Sequence, residues 1–146
     1  MSSTTAFKTA LLNLYFLNTD HANIGDAAGL QNSATAGSFY ISLHTADPGA
    51  AGNQTTSEAT VGGYARVAVA RSGAGWTVAT ANVSNAAAVT FPAVTSGSNT
   101  VTYFGIGSDS SGAGNLFFRG ALAVSRVLDA GETPSFAIGE LDVDVT

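Results

Sequence analysis

The chain alternates between short apolar–polar segments and turn residues over most of its length, and this pattern constrains its fold more than any other feature. Between Ser38 and Val145, large apolar side chains recur at every second position in runs of a few residues. Gly, Pro, Asp and Asn interrupt these runs at intervals of roughly 8–12 residues, a spacing typical of antiparallel sheets. We therefore predict a mainly β fold, an antiparallel, jelly-roll-like β-sandwich of about seven to eight strands.

The first predicted strand, from Ser38, places Phe39, Ile41 and Leu43 on one face and ends before the turn at Asp47–Gly49. Further strands are predicted at Tyr64–Arg71, Trp76–Thr80, the stretch ending at Val89 and Phe91, Val101–Ile106, Leu116–Leu122, Val124–Leu128 and Phe136–Val145. The large apolar residues of the last predicted strand shift from even to odd positions at Gly139, and this shift predicts a β-bulge there.

The N-terminal segment has a helical period instead. Phe7, Leu11 and Leu14 recur at the three- and four-residue spacing of one helix face, and hydroxyl side chains at positions 3–5 can cap the first turn. Other apolar residues widen this face. Because so apolar a helix must dock, we expect Phe7, Leu11 and Leu14 to be buried against the sandwich or a neighbouring subunit.

The length of 146 residues predicts a single domain over residues 1–146, with a helix and connector at 1–37 and the β-sandwich at 38–146. Charged residues make up only 10% of the chain, against about 25% in typical soluble domains. The strand faces are rich in Ala, Ser and Thr. Such faces suit close approach by another subunit.

Composition also excludes several classes of protein. The chain has no Cys, so disulfides, thiolate zinc sites and cysteine nucleophiles are excluded. Its net charge is −5 and its few cations are scattered, so we expect no nucleic-acid partner. No apolar run approaches the length of a membrane span, and we expect neither a membrane partner nor a cofactor.

Ser42, His44 and Asp47 are the residue types of a hydrolase triad. However, Ser42 and His44 lie two residues apart on one strand face, and the sequence contains no G-x-S-x-G nucleophile elbow. Our interpretation is that His44 is an outward-facing strand residue beside a turn. We likewise interpret Gly105–Gly114 as a flexible hairpin loop, because it lacks the G-x-G-x-x-G spacing and the lysine of phosphate-binding loops.

Two groups of residues are candidate cation ligands. The first comprises Asp20, His21 and Asp26, and the second comprises Glu140, Asp142 and Asp144. Neither group has the spacing of a calcium-binding loop. We interpret the first as caps and solvated loop residues. The second forms an acidic row on one strand face, which could be a solvated outer face, a guard against edge pairing or a cation site.

The arginines are spaced too widely for one phosphate-binding cluster, and we expect them to pair with carboxylates within the chain or across a subunit boundary. Together with the helix and the loops at 50–63 and 107–114, they form our predicted interface. The interface candidates are Phe7, Leu11, Leu14, Arg66, Arg71, Arg119 and Arg126.

Several stretches carry a resemblance to one group of proteins. They are ALLNLYF in the first helix, SLHTADPG (42–49), GYARVAVAR (63–71), residues 85–92 ending in VTFP, TYFGIG (102–107) and SGAGNLFFRGAL (111–122). In these the chain resembles small virion proteins of tailed bacteriophages and prophages, variously described as head decoration, minor tail or tail fibre proteins. The resemblance implies a location in the virion, with the host cytoplasm during assembly, and it brings no catalytic residues.

We therefore predict a non-enzymatic structural protein. The absence of an extended shaft or coiled coil favours a capsid decoration (cement) protein that binds between subunits of the major capsid protein. The alternatives are a tail or tail-fibre attachment protein and a carbohydrate-binding module with Tyr40, Tyr64, Trp76 and Tyr103 as aromatic platforms. Because linked copies bind with avidity, we expect a homotrimer with itself and other virion proteins as partners.

Overall fold

The computed structural model describes residues 2–145 and shows a mainly β protein, as predicted. Its elements are α1 (Thr5–Leu17), β1 (Ser38–His44), β2 (Val67–Ala70), β3 (Trp76–Ala79), β4 (Asn82–Asn85), β5 (Val89–Thr90), β6 (Ser98–Gly107), β7 (Leu116–Asp129), β8 (Ser135–Phe136) and β9 (Asp142–Asp144). They form a four-stranded sheet in the order β2-β1-β6-β7, a three-stranded sheet in the order β3-β4-β9 and a two-stranded sheet of β5 and β8.

The chain divides into two compact units whose segments alternate along the sequence. Unit 1 takes the described parts of residues 1–38, 70–88 and 136–146, and unit 2 takes residues 39–69 and 89–135. The helix and connector predicted at 1–37 thus share a unit with two later segments. A single domain over the whole chain stays a prediction.

Unit 1 contains α1, which packs on β3 and β4. The helix begins as predicted, because the Thr4 hydroxyl accepts a hydrogen bond from the Phe7 backbone N–H at 3.3 Å. Its buried side chains are Leu12 and Phe16, and the Phe16 ring meets Trp76 edge-on at 4.8 Å. The buried position of Trp76 also removes it as a sugar platform.

Within this chain α1 does not bury its predicted face, and burial of that face against a neighbouring subunit stays a prediction. Phe7 is 46% exposed, and Leu11 and Leu14 are only half-buried. The physical reason is the breadth of the apolar arc. Apolar residues surround much of the helix, so the spacing alone does not select the side that docks.

The predicted strand at 136–145 is also wrong, because a turn at 137–141 separates β8 from β9. The buried Asn85 side chain holds this turn. Its Oδ1 accepts from the Leu141 N–H at 2.9 Å, and its Nδ2 donates to the Ala137 carbonyl at 2.8 Å. Gly139 has a φ of 79°, which is turn geometry and not a bulge. β9 pairs antiparallel with β4.

Unit 2 is built on β1, β6 and β7. β1 pairs antiparallel with β6, and β6 pairs antiparallel with β7. One face of β1 carries the core: Ile41 lies opposite Ile106, and Leu43 opposite Phe104. β7 is one strand of 14 residues and not the two that were predicted. A shift in its register against β6 leaves residues 122–125 as a bulge, and no strand pairs with its outer edge in the described sheet.

Candidate functional site

The second face of β1 is polar, and its C-terminal half is covered. Ser42 and His44 are both 0% exposed, so the prediction of an outward-facing His44 is wrong. The physical reason is a loop of residues 45–58, here called the cover loop, which folds back over this face. The Thr45 N–H donates to the Ser57 carbonyl at 2.7 Å, which closes the base of the loop.

His44 has a partner at each ring nitrogen. Nδ1 lies 2.8 Å from the Thr56 carbonyl oxygen, which can only accept, so Nδ1 carries the proton. Nε2 therefore accepts from the Ser42 hydroxyl at 2.8 Å. Burial lowers the pKa of the His44 imidazole, because a charged ring would lose its hydration there.

This Ser–His pair does not extend to a triad. Asp47 forms an ion pair with Arg119 and not with His44. Both members of the pair are enclosed by the cover loop, whereas a nucleophile must reach a substrate. The arrangement holds the loop on the sheet.

Two glycines of β6 leave room for the Ser–His pair and for the cover loop. A Cβ at Gly105 would come within 2.7 Å of both His44 Nε2 and Ser42 Oγ. At Gly107 it would come within 2.2 Å of the Gln54 side chain. Both glycines were predicted to lie in a loop, but they are strand positions where a side chain would collide with the Ser–His pair at Gly105 and with the cover loop at Gly107.

Gln54 joins the cover loop to the loop of residues 108–115 between β6 and β7, here called the hairpin loop. The buried side chain donates from Nε2 to the Asp109 carbonyl at 3.2 Å and accepts at Oε1 from the Asp109 N–H at 2.9 Å. Its own backbone N–H donates to the Ala113 carbonyl at 2.8 Å. The role of Gln54 was not predicted, because a polar residue in a polar loop gives no signal of burial.

A part-buried ion pair, in which the Glu58 side chain is 14% exposed, stands beside Gln54. Arg66 and Glu58 are joined by two hydrogen bonds, Nε to Oε1 and Nη2 to Oε2, each of 2.7 Å. The Arg66 side chain is only 3% exposed. Its bond to Glu58 raises the pKa of the guanidinium. The predicted pairing of an arginine with a carboxylate is confirmed here within the chain.

Arg66 and Glu58 also hold their surroundings. Arg66 donates to the hairpin-loop carbonyls of Asp109 at 2.9 Å and Gly112 at 2.7 Å. Glu58 accepts from the Tyr64 hydroxyl at 3.0 Å, and that hydroxyl accepts from the Leu43 N–H. Burial raises the pKa of Tyr64. Arg66, Glu58 and Gln54 thus fix a hairpin loop that the sequence analysis interpreted as flexible.

Arg71 has a structural role in unit 1. Its guanidinium donates to the carbonyls of Leu14 at 2.9 Å and Tyr15 at 2.5 Å, at the C-terminal end of α1, and to Ala36 at 2.9 Å. A cation at this end satisfies carbonyls that have no helical partner and complements the helix dipole. Arg71 thereby links α1 and the connector to the segment 70–88, in which Arg71 itself lies.

The outer surface of β7 carries the remaining interface candidates. Arg119 pairs with Asp47, and Arg126 is exposed. Beside them, Val124 is 79% exposed in the bulge and Val127 is 50% exposed. The exposure of both valines was not predicted, because a strand pattern does not show that residues 122–125 leave the hydrogen-bonded ladder.

The carboxylates that were considered as ligands serve as caps or lie in solvent. Asp26 Oδ1 accepts from the N–H groups of Ala28 and Gly29, and exposed Asp142 and Asp144 both accept from Asn82. Within residues 2–145, no group of three or more His, Cys, Asp or Glu could hold a metal ion. Over the same residues, no helix is long and apolar enough to cross a membrane.

A comparison with protein families decides the relationship of the chain. The family described as Podophage GP4 fiber I protein gp80 matches residues 3–144. The chain belongs to this family. A search of curated proteins finds no match.

Membership in the fiber I protein family makes the chain a structural protein of the phage virion, and the virion is its location. The predicted resemblance to small virion proteins of tailed phages is therefore confirmed. The match covers both units, so the cover loop, the hairpin loop and the β7 edge all lie within the family region.

Proposed function

We propose that the protein is a non-enzymatic subunit of a tail fibre, which binds copies of itself and other virion proteins. The observation that carries this proposal is the family match over residues 3–144, since the family is described as a fibre protein. The match supports the tail-fibre alternative of the sequence analysis better than capsid decoration, which was its first choice.

The β7 edge supports a role in contacts between chains. An outer strand has backbone N–H and C=O groups that no neighbouring strand satisfies, and a second chain can pair with them. Exposed Val124 and Val127 add apolar area to this edge, and Arg126 adds a charge. We therefore place the principal contact between subunits on β7 and keep the homotrimer as the expected assembly.

The buried polar groups support a non-enzymatic role. Ser42 binds His44, which binds the cover loop, and Glu58 binds Arg66, which binds the hairpin loop. Each group thus has a structural partner in unit 2.

Location on the particle tests the proposal directly. Gold-labelled antibodies against the purified chain should mark the tail of intact particles in electron micrographs, and particles lacking the protein should have intact heads and missing fibres. Label over the capsid surface would contradict a fibre role and restore capsid decoration.

The contact surface needs a separate test. Light scattering should give a mass about three times 14.6 kDa. The double variant Val124→Asp/Val127→Asp should lower this mass and abolish incorporation into particles. Ile138→Asp is the matched control, because Ile138 is 69% exposed and lies in unit 1. Equal loss of assembly in both variants would rule out a specific role of β7.

A further inference from the structure

The bond pattern at His44 fits a neutral imidazole. Nδ1 donates to the Thr56 carbonyl, so in the neutral ring Nε2 has no proton and accepts from the Ser42 hydroxyl. A proton on Nε2 would face the Ser42 oxygen, and the hydroxyl proton would have to find another acceptor. Gly105 closes the space beside both atoms, since even a Cβ there would overlap them.

Two neighbours favour a charged ring, because the bond that Nδ1 donates to the Thr56 carbonyl and the nearby Glu58 carboxylate both raise the pKa of His44. Glu58, its bridge partner in the cover loop, would attract an imidazolium, but this carboxylate is already bound to Arg66 and to the Tyr64 hydroxyl. Arg66 opposes the charge. Tyr103 of β6 lies opposite His44 in the ladder. Burial is the largest influence and lowers the pKa of His44.

We propose that His44 is an acid-sensitive latch: when its ring takes up a proton, the cover loop separates from the polar face of β1 and releases the hairpin loop. The release follows from the chain path. Gln54 and Glu58 lie in the cover loop, and they hold Asp109, Ala113 and Arg66. When Thr56 leaves the sheet, the residues beside it lose the geometry of these bonds.

The direction of the pH dependence follows from linkage. His44 binds protons less readily in the closed loop than in an open, hydrated one, so the open state takes up a proton. The closed loop is therefore fully favoured above the ordinary histidine pKa of about 6.5 and is lost progressively as pH falls below it. One proton per opening limits the effect to about tenfold per pH unit.

Hydrogen exchange on the full chain tests this latch. After correction for intrinsic chemistry, protection of amides in residues 45–58 and 108–115 should fall by up to about tenfold per pH unit between pH 6.5 and 5. Amides of α1 in unit 1 should keep their protection over the same range. Unchanged protection of both loops down to pH 5 would overturn the proposal.

Two variants assign the effect to His44. His44→Gln should make loop protection independent of pH in this range, whereas His21→Gln, which replaces the other histidine of the chain, should leave the pH dependence intact. Ser42→Ala removes the bond that favours the neutral ring, so it should lower protection at neutral pH and shrink the further loss at pH 5. An equal loss at both pH values would show that the Ser–His pair is structural only. If His44→Gln does not fold, the Ser42→Ala result decides alone.

Discussion

Replacing Arg66 by leucine removes the cation of a part-buried ion pair and four hydrogen bonds. Two of these bonds join Arg66 to Glu58, and two join it to the Asp109 and Gly112 carbonyls. Glu58 keeps the Tyr64 hydroxyl as a partner but loses its opposite charge. Removing one member of a buried pair costs about 3–5 kcal/mol, because the remaining charge stays uncompensated. The exposed carbonyls can bind water, so we expect a loss of about 3–4 kcal/mol in the free energy of unfolding.

Urea denaturation followed by far-ultraviolet circular dichroism measures this loss. Arg126→Leu is the matched control, because Arg126 is an exposed arginine of unit 2, and it should change stability by less than about 0.5 kcal/mol. The double variant Arg66→Leu/Glu58→Leu should be more stable than Arg66→Leu alone, since it leaves no buried charge. Equal effects of Arg66→Leu and Arg126→Leu would refute the view that the ion pair fixes the loops.

Three further predictions concern packing and ligands. Phe16→Ala should cost about 3–5 kcal/mol, because it empties the contact with Trp76, and exposed Phe7→Ala should cost far less when both are measured by urea denaturation. Gly105→Ala should lower the melting temperature, because its Cβ overlaps the Ser–His pair. Gly73→Ala, which meets no atom within 4 Å, should not, and equal melting would contradict our account of β6. EDTA should leave the melting temperature unchanged; a drop reversed by Ca²⁺ would identify a metal site.

Local sequence signals predicted where the helix and the strands form better than they predicted which faces of these elements are buried. The capping hydroxyl at Thr4 and the alternation of Phe39, Ile41 and Leu43 were sufficient for α1 and β1, because capping and strand period depend on neighbours in the sequence. The buried side of α1 was not predictable in this way. Its broad apolar arc fits several docking directions, and the choice of Leu12 and Phe16 depends on β3 and β4.

The candidate site was harder to predict, because its cover depends on the path of the loop that follows β1 and not on any local period. His44 has the sequence pattern of an outward residue, and only the return of residues 53–57 over β1 buries it. Glycine at 105 and 107 was the available signal. One glycine lies within the predicted strand at Val101–Ile106 and the other follows its end. Glycines at such positions indicate that another part of the protein packs closely against the strand.

The interleaved path of unit 1 sets an order on its formation during synthesis. β4 can pair with β3 as soon as both emerge, because they are joined by a short turn. Its other edge must wait for β9, some sixty residues later, and the Asn85 amide stays hydrated until the Leu141 N–H arrives. α1 likewise cannot dock until β3 and β4 have been synthesised, since they follow it by about sixty residues. Unit 2 lies almost wholly before residue 136, so a ribosome delivers a complete unit 2 while unit 1 is still open.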